Sequence, residues 1–280
     1  MTRRPTFLLS VLAFGFAFFY VPILSMIVYS FNASRLATVW GGFSTKWYVS
    51  LWSNAKVIDA LILSLKIALV SATLATILGT MAAIALVRMG KFRGRTLFGG
   101  LVTAPLIMPE VITGVSSLIF FLLLAQWIGW PAQRGFATIT LAHITFSMVF
   151  VTTIVQARLL QFDRAAIEEA AMDLGSRPWQ VLVDITLPVI SPAILSGWLL
   201  AFTISLDDVV ITSFTTGPGS TTLPLLIWSK VKLGVTPDIN ALATLMVLAV
   251  GLGVVIAGVI MNRAEARRLA DERLAFRTSG

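Results

Sequence analysis

The sequence predicts an all-α integral membrane protein with about six transmembrane helices and both termini in the cytoplasm. Three observations carry this expectation. Of 280 residues, 57% are apolar and only 12% charged, with a mean hydropathy of +0.90. A soluble chain carries roughly a quarter charged residues, so the solvent of this one is mostly lipid. Six stretches reach the roughly 20 apolar residues that a helix needs to cross the hydrocarbon core. Lys and Arg are also divided unequally between alternate connecting segments, as the positive-inside rule requires. The net charge of +8 therefore sits at membrane boundaries rather than in a binding patch, and nucleic acid drops out as a partner. The chain has no Cys, so neither a disulfide framework nor a thiolate metal site is available.

The first span, 7–31, follows Arg3 and Arg4 and so begins like a signal peptide. Its apolar run is longer than the about 7–15 residues of a signal core, and no small-x-small cleavage site stands out. It reads as a retained helix, kinked near Pro22. The remaining spans are expected at 58–87, 97–125, 136–155, 191–216 and 241–261. With the N-terminus inside, the cytoplasmic segments hold Arg3 and Arg4; Arg88, Lys91, Arg93 and Arg95; Arg158, Arg164 and Arg177; and Arg263, Arg267, Arg268, Arg273 and Arg277. The outer segments hold only Arg35, Lys46, Lys56, Arg134, Lys230 and Lys232. Trp40, Trp47, Trp52, Trp127, Trp130 and Trp228 fall on or beside the outer side. They form either an interfacial aromatic belt or part of the contact with an external partner. Gly79 with Ala83, and Gly253 with Ala257, have the spacing that lets helices pack closely, which identifies no particular fold. No convincing inverted repeat relates the halves, which weakens a secondary-carrier reading without removing it.

The stretch 156–188, between the fourth and fifth spans, is patterned like a short docking helix rather than a linker. Asp163 can cap its start, and Glu168 and Glu169 lie early, where carboxylates suit the helix dipole. Ile167, Ala170, Ala171 and Leu174 recur at helical spacing and make a small apolar face. Gly175 stops the helix, since it adopts the left-handed conformation without penalty. A second helical turn is expected from Ser176 and Pro178, ending at Pro188 before the fifth span. Small residues at the centre of the face allow a partner to approach closely, and the flanking acids can fix its register.

Glu169-Ala170-Ala171, three residues, Gly175, nine residues, then Ile185-Thr186-Leu187-Pro188 resembles the EAA loop of binding-protein-dependent ABC importer permeases. The full spacing, placed before the penultimate span of a six-span chain, is specific where a lone E-A-A is not. The resemblance implies a type I ABC importer permease fold, with 1–280 a single transmembrane permease domain and 158–188 its coupling loop. It implies that Glu169, Ala170, Ala171, Gly175, Ile185, Leu187 and Pro188 form the ATPase-coupling element, whose helix sits in a groove of the ATPase and transmits its movement. It also implies the partners: a second permease, two cytoplasmic ATPase subunits and a periplasmic binding protein, all at a bacterial inner membrane. The chain has no G-x-x-x-x-G-K-[ST] phosphate loop, so nucleotide chemistry falls to another chain and no cofactor is expected here.

The resemblance extends over nearly the whole chain to permeases of polyamine importers, through Tyr29-Ser30-Phe31-Asn32, Thr38-Val39-Trp40, Ser205-Leu206-Asp207-Asp208, Gly217-Pro218-Gly219 and Thr221-Thr222-Leu223-Pro224. It is closer to the second permease of putrescine systems than to the spermidine-preferring branch. That implies a periplasmic polyamine-binding protein, a related but different partner permease, and docking surfaces for the binding protein at 32–57 and 217–240.

Three acids, Glu110, Asp207 and Asp208, fall inside spans. Ionisable groups there face a cavity or a partner rather than lipid. Glu110 follows Pro105 and Pro109, which loosen the third helix by removing backbone donors. A diammonium substrate needs such counter-charges, and Phe202 and Phe214 could add cation–π contact. A competing role is structural: Lys66 and Asp208 each lie about eight residues, roughly 12 Å, from the outer end of their spans. They could form an ion pair that fixes helix register, and gating is a third possibility. His143, the only histidine, is expected to bond between helices, since one imidazole builds no metal site. No nucleophile–base or paired-carboxylate arrangement marks a catalytic site.

Overall fold

The computed structural model of the protein describes the backbone at residues 6–36, 39–161, 164–234 and 236–278, with side chains except at 6, 164–166, 254, 257, 260–262 and 264–278. Of the features named above, Arg3, Arg4, Thr38 and Asp163 lie outside the described residues, as do the side chains of Arg164, Ala257, Arg267, Arg268, Arg273 and Arg277. In chain order the helices are α1 (Thr6–Tyr29), α2 (Lys46–Trp52), α3 (Ala55–Arg88), α4 (Arg95–Ile107), α5 (Glu110–Ile128), α6 (Phe136–Gln161), α7 (Arg164–Asp173) and the single turn α8 (Pro178–Gln180). A π-helical segment (Val181–Thr186) then leads into α9 (Leu187–Asp207), followed by α10 (Val210–Thr215), α11 (Leu223–Leu233) and α12 (Pro237–Thr278). The protein is all-α among the described residues, with one isolated antiparallel bridge between Asn32 and Phe43.

Among the described residues, five helical stretches are long and apolar enough to cross a membrane: Phe7–Tyr29, Ala55–Arg88, Glu110–Ile128, Phe136–Gln161 and Pro178–Asp207. Arg95–Ile107 and Pro237–Gly253 are apolar but shorter. The sixth expected span lies on α12. Two expected spans are broken, and each break has a local cause. The third, at 97–125, divides between α4 and α5: Met108 is extended (ψ 133°) ahead of Pro109, because a proline ring excludes the residue before it from the helical region. The fifth, at 191–216, ends at Asp207, where Asp208 is extended (ψ 129°) and α10 starts afresh. Pro188, expected to end a turn, instead lies inside a continuous helical path. The preceding π-helical segment has its bonds in the wider i→i−5 register, as from Leu187 N–H to the Leu182 carbonyl. A proline that lacks an N–H is commonly accommodated by such a bulge.

The chain divides into two compact units, Met1–Asn54 with Ser229–Gly280, and Ala55–Trp228. In the first, α1 presents apolar side chains all round, with Phe7, Phe14 and Phe19 among the most exposed; a helix of this kind belongs in lipid. The loop after it is knitted around the fully buried Asn32. The Asn32 amide donates to the carbonyls of Val39 (2.8 Å) and Leu36 (3.3 Å), and its oxygen accepts from the Gly41 and Ser34 backbones. The indole of Trp47 donates to the Asn32 carbonyl at 2.7 Å, and Lys46 bonds the Ala33 carbonyl.

In the second unit, α3, α6 and α9 pack about a core of Ala72, Ala83, Val151, Val155, Leu159, Ile190 and Ala201. Glycine lets them approach closely at two points, the tighter of them Gly79. A Cβ on Gly79 would meet the Met148 carbonyl oxygen at 2.8 Å, and one on Gly197 would meet Val151 at 3.2 Å. Lipid tails are as apolar as these side chains, so such contact packing, rather than a hydrophobic effect, holds the helices together. Polar bridges reinforce it: Thr152 donates to the Gly79 carbonyl at 3.2 Å, and Ser71 to Ser205 at 2.9 Å.

Candidate functional site

Two places on the second unit bring the candidate residues together. The first is α7 and the turn after it. Gly175 has φ +92°, its N–H bonds the Met172 carbonyl (2.9 Å), and the Ser176 N–H bonds that of Ala171 (3.0 Å). This is the Schellman pattern, which satisfies the carbonyls left open at a helix end and needs a left-handed residue at that position. Glu169 and Ala170 are exposed, Ala171 is half-buried, and Leu174 is 89% exposed. Ile167 and Met172 are exposed as well, so among the described residues the larger apolar side chains of α7 are open. Ile185 is half-buried in the π-helical segment, Leu187 packs against the core, and Pro188 is exposed at the start of α9. Ala170 and Gly175 thus face outward with Ala171 half-covered, while the Ile185–Leu187 end is built into the helix that follows.

Glu168 behaves differently from its neighbour. It is only 8% exposed, and its Oε1 accepts from Arg88 Nη2 at 2.5 Å and from the Thr186 hydroxyl at 2.8 Å. In the sequence Glu169 stands in the coupling motif, while Glu168 reads only as a second acid early in the helix. Arg88 stood only as one of the cytoplasmic basic residues.

The second place is a cavity of about 450 Å³ lined by Glu110, Phe146, Phe150, Ile204, Asp207, Asp208, Val209 and Val210. The breaks in the two spans produce it. Glu110 begins α5 directly after Pro109, Asp207 ends α9, and Asp208 stands in the gap before α10. All three acids therefore face one space. Asp208 is the committed one. Its Oδ1 accepts from the Ile211 N–H (3.2 Å), and its Oδ2 from the Thr212 N–H (2.7 Å), the Thr212 hydroxyl (2.8 Å) and His143 Nε2 (3.2 Å). His143 Nδ1 meets the Ser205 hydroxyl at 2.7 Å, and Ser71 donates to Ser205. A carboxylate only accepts, so Nε2 donates to Asp208, and the imidazole bridges α6 and α9. The interhelical bonding expected of His143 is present.

Glu110 and Asp207 are exposed to the cavity, and among the described residues no side-chain donor reaches either. Two expectations need correction. Asp208 does not pair with Lys66: its acceptor sites are filled from α6 and α10, while Lys66 lines a separate cavity of about 460 Å³ with Lys56, Asp59, Gly219 and Thr221. The aromatic rings at the acids are Phe146 and Phe150 of α6, packed edge to face at 5.5 Å. Phe202 stacks on Trp198 instead, and Phe214 packs against Gly114. Helical spacing put Phe202 and Phe214 on the same helix as the aspartates, but the break at Asp208 and the crossing of α6 turned other rings to the cavity.

A model of the binding-protein-dependent transport system inner membrane component family matches residues 75–269, a range that takes in the α7 turn and every residue of the acidic cavity. The chain is 55% identical over 267 residues to the putrescine transport system permease protein PotI of Escherichia coli K12, covering 95% of each. It is 43% identical over 248 residues to the spermidine/putrescine transport system permease protein PotC of the same organism, covering 89% of this chain and 90% of that one. In fold it is similar to a chain of a bacterial ABC transporter involved in the import of alginate, with a TM-score of 0.73 at 19% identity over 92% of this chain and 94% of the other.

Proposed function

This chain belongs to the family of binding-protein-dependent transport system inner membrane components, multi-pass proteins of the inner membrane, and from that premise we propose that it is the permease subunit of an ATP-driven importer carrying putrescine from periplasm to cytoplasm. The observation that carries the substrate class is the pair of carboxylates, Glu110 and Asp207, which no described side-chain donor reaches, on one cavity beside the rings of Phe146 and Phe150. Acids held within membrane-spanning segments are costly unless a cation meets them. A short diamine offers two ammonium groups to two carboxylates, and its methylene chain suits an aromatic wall that also favours cations. The same acids repel anions. In this reading Glu110 and Asp207 touch the substrate, while Asp208 shapes the wall.

The exposed face of α7 supports the rest of the machine. Ala170 and Ala171 allow close approach, Leu174 offers an apolar anchor, and Glu169 a charge at the rim, which together suit a groove on an ATPase subunit. The assembly we infer has this chain paired with a second, related permease, two cytoplasmic ATPase subunits beneath, and a periplasmic polyamine-binding protein seated on 32–57 and 217–240. Both termini lie in the cytoplasm, and 1–280 acts as one permease domain. The 43% identity to a permease named for spermidine as well as putrescine supports a second reading in which a triamine shares the path.

The test is uptake of labelled putrescine by cells lacking this protein, with and without the wild-type gene, and in the presence of unlabelled spermidine. The expected result is uptake that returns only with the gene and is competed more strongly by putrescine than by spermidine. Uptake independent of the gene removes the substrate assignment, and stronger competition by spermidine moves it to the triamine.

A further inference from the structure

Among the described residues, the apolar side of helix α7 is left open. Its larger described apolar residues Ile167 and Met172 are exposed, as is Leu174 just after it. Among the described residues α7 packs on the π-helical segment and meets the end of α3 through Arg88. Of the described side chains of α7, Glu168 is the buried one, and it enters a ring of three bonds. Arg88 Nη2 donates to Glu168 Oε1 at 2.5 Å and to Thr186 Oγ1 at 3.2 Å, and the Thr186 hydroxyl donates to Glu168 Oε1 at 2.8 Å. Arg88 is the last residue of α3, and Thr186 is the last of the π-helical segment that runs directly into α9. Thr186 is fully buried, Glu168 nearly so, and the Arg88 side chain is 19% exposed. Arg95, nearby in sequence, serves a plainer purpose by donating to the open Leu86 carbonyl at the end of α3 (2.8 Å).

We infer that the Arg88–Glu168–Thr186 ring is the joint through which displacement of α7 is delivered to α3 and α9, the two helices that pack together against α6. The inference rests on the reading of α7 as the ATPase-docking helix and adds which residues transmit its movement. Glu169 faces the partner, and Glu168, its neighbour, grips the transmembrane core. A buried, charge-assisted contact suits this task because its geometry is fixed from both sides and it resists being pulled apart, where an apolar contact would slide. The ring engages both helices at once. α3 is reached through the guanidinium at its C-terminus, and α9 through a π-helical segment whose wider hydrogen-bond register marks a place where a helix can be re-registered. The Ser71–Ser205 and Thr152–Gly79 bonds then tie α3 to α9 and to α6, and Asp207, at the far end of α9, faces the acidic cavity. Glu168, Arg88 and Thr186 are positioning residues, since none lines that cavity.

The experiment compares the assembled importer in proteoliposomes, with binding protein and ATP, for wild type, Glu168→Gln, Arg88→Glu, Thr186→Val and the exchanged pair Arg88→Glu/Glu168→Arg. It reads putrescine uptake, ATP hydrolysis and the amount of ATPase retained. The expected result is that each single variant keeps its ATPase and still hydrolyses ATP, but moves at least ten-fold less putrescine per ATP. The exchanged pair should return that ratio to within about three-fold of wild type. A merely structural role would lower uptake and hydrolysis together and leave the ratio unchanged. If the single charge variants fail to accumulate in the membrane, recovery of both level and ratio in the exchanged pair still supports the joint. An exchanged pair no better than the single variants overturns it, as does a normal ratio in Glu168→Gln. Loss of the ATPase from Glu168→Gln also overturns it, placing Glu168 in the docking face. Absence of ATP-dependent putrescine uptake by the wild-type assembly is the different result that defeats the functional reading itself.

Discussion

Two adjacent aspartates do different work because their neighbours differ. Asp208 accepts four hydrogen bonds and holds α10 against α6, whereas Asp207 faces the cavity with no side-chain donor among the described residues. Neutralising Asp207 should therefore weaken substrate binding. A charge-assisted contact contributes about 1.5–3 kcal/mol, so Asp207→Asn is expected to raise the KM for putrescine uptake roughly ten- to a hundred-fold, at normal protein levels. Asp208→Asn turns a donor toward groups that themselves donate and weakens a cap worth about 1 kcal/mol. It should lower the amount of folded protein or the maximal rate while leaving KM within about two-fold. Uptake kinetics normalised to membrane content separate the two outcomes, and equal effects on KM would show that both acids bind substrate. All three acids were legible in the sequence because charge is rare in a span. Their division of labour was not. It depends on His143 and Thr212, and the position of His143 against Asp208 is set by how α6 crosses α9. The same crossing placed Phe146 and Phe150, not Phe202 and Phe214, at the cavity.

Among the elements, proline and glycine mark where the helices break and where they touch. Pro109 and the extended residue before it were readable as a weak point, and Gly175 as a helix stop, since both follow from backbone sterics alone. The break at Asp208 was less readable, because an aspartate ends a helix only when its side chain captures the amides that follow. Pro188 was misread as a terminator for a similar reason: the π-helical register that accommodates it depends on the surrounding packing. The small-residue pairs show how far spacing reaches. Gly79 with Ala83 and Gly253 with Ala257 look alike in the sequence, yet Gly79 lies against the Met148 carbonyl while nothing described approaches Gly253 within 4 Å. Gly79→Ala is therefore expected to destabilise the α3–α6 contact by about 1–3 kcal/mol, as overpacking does, whereas Gly253→Ala should be neutral. Thermal unfolding of the detergent-solubilised protein measures this, and equal melting temperatures for Gly79→Ala and wild type would contradict the close approach.

At the scale of the molecule, composition and hydropathy were enough for an all-α membrane protein, because lipid forces every backbone group into internal hydrogen bonds. The spacing of the loop before the fifth span was enough for the family. What remained illegible was long-range: which helices share a core, and which cytoplasmic arginine meets which glutamate across 80 positions of chain. Import against a gradient requires that ATP binding and substrate binding each favour one arrangement of the helices over another, so that a difference in free energy links the two sites. A carrier driven by an ion gradient would need no ATPase-docking face, which is the role proposed for α7. The most direct measurement is accumulation of labelled putrescine by proteoliposomes containing the assembled importer and its binding protein. ATP is supplied on the ATPase side or withheld, and a protonophore is present or absent. Accumulation that requires ATP and is indifferent to the protonophore is the predicted result. Uptake that proceeds without ATP and collapses with the proton gradient would contradict it.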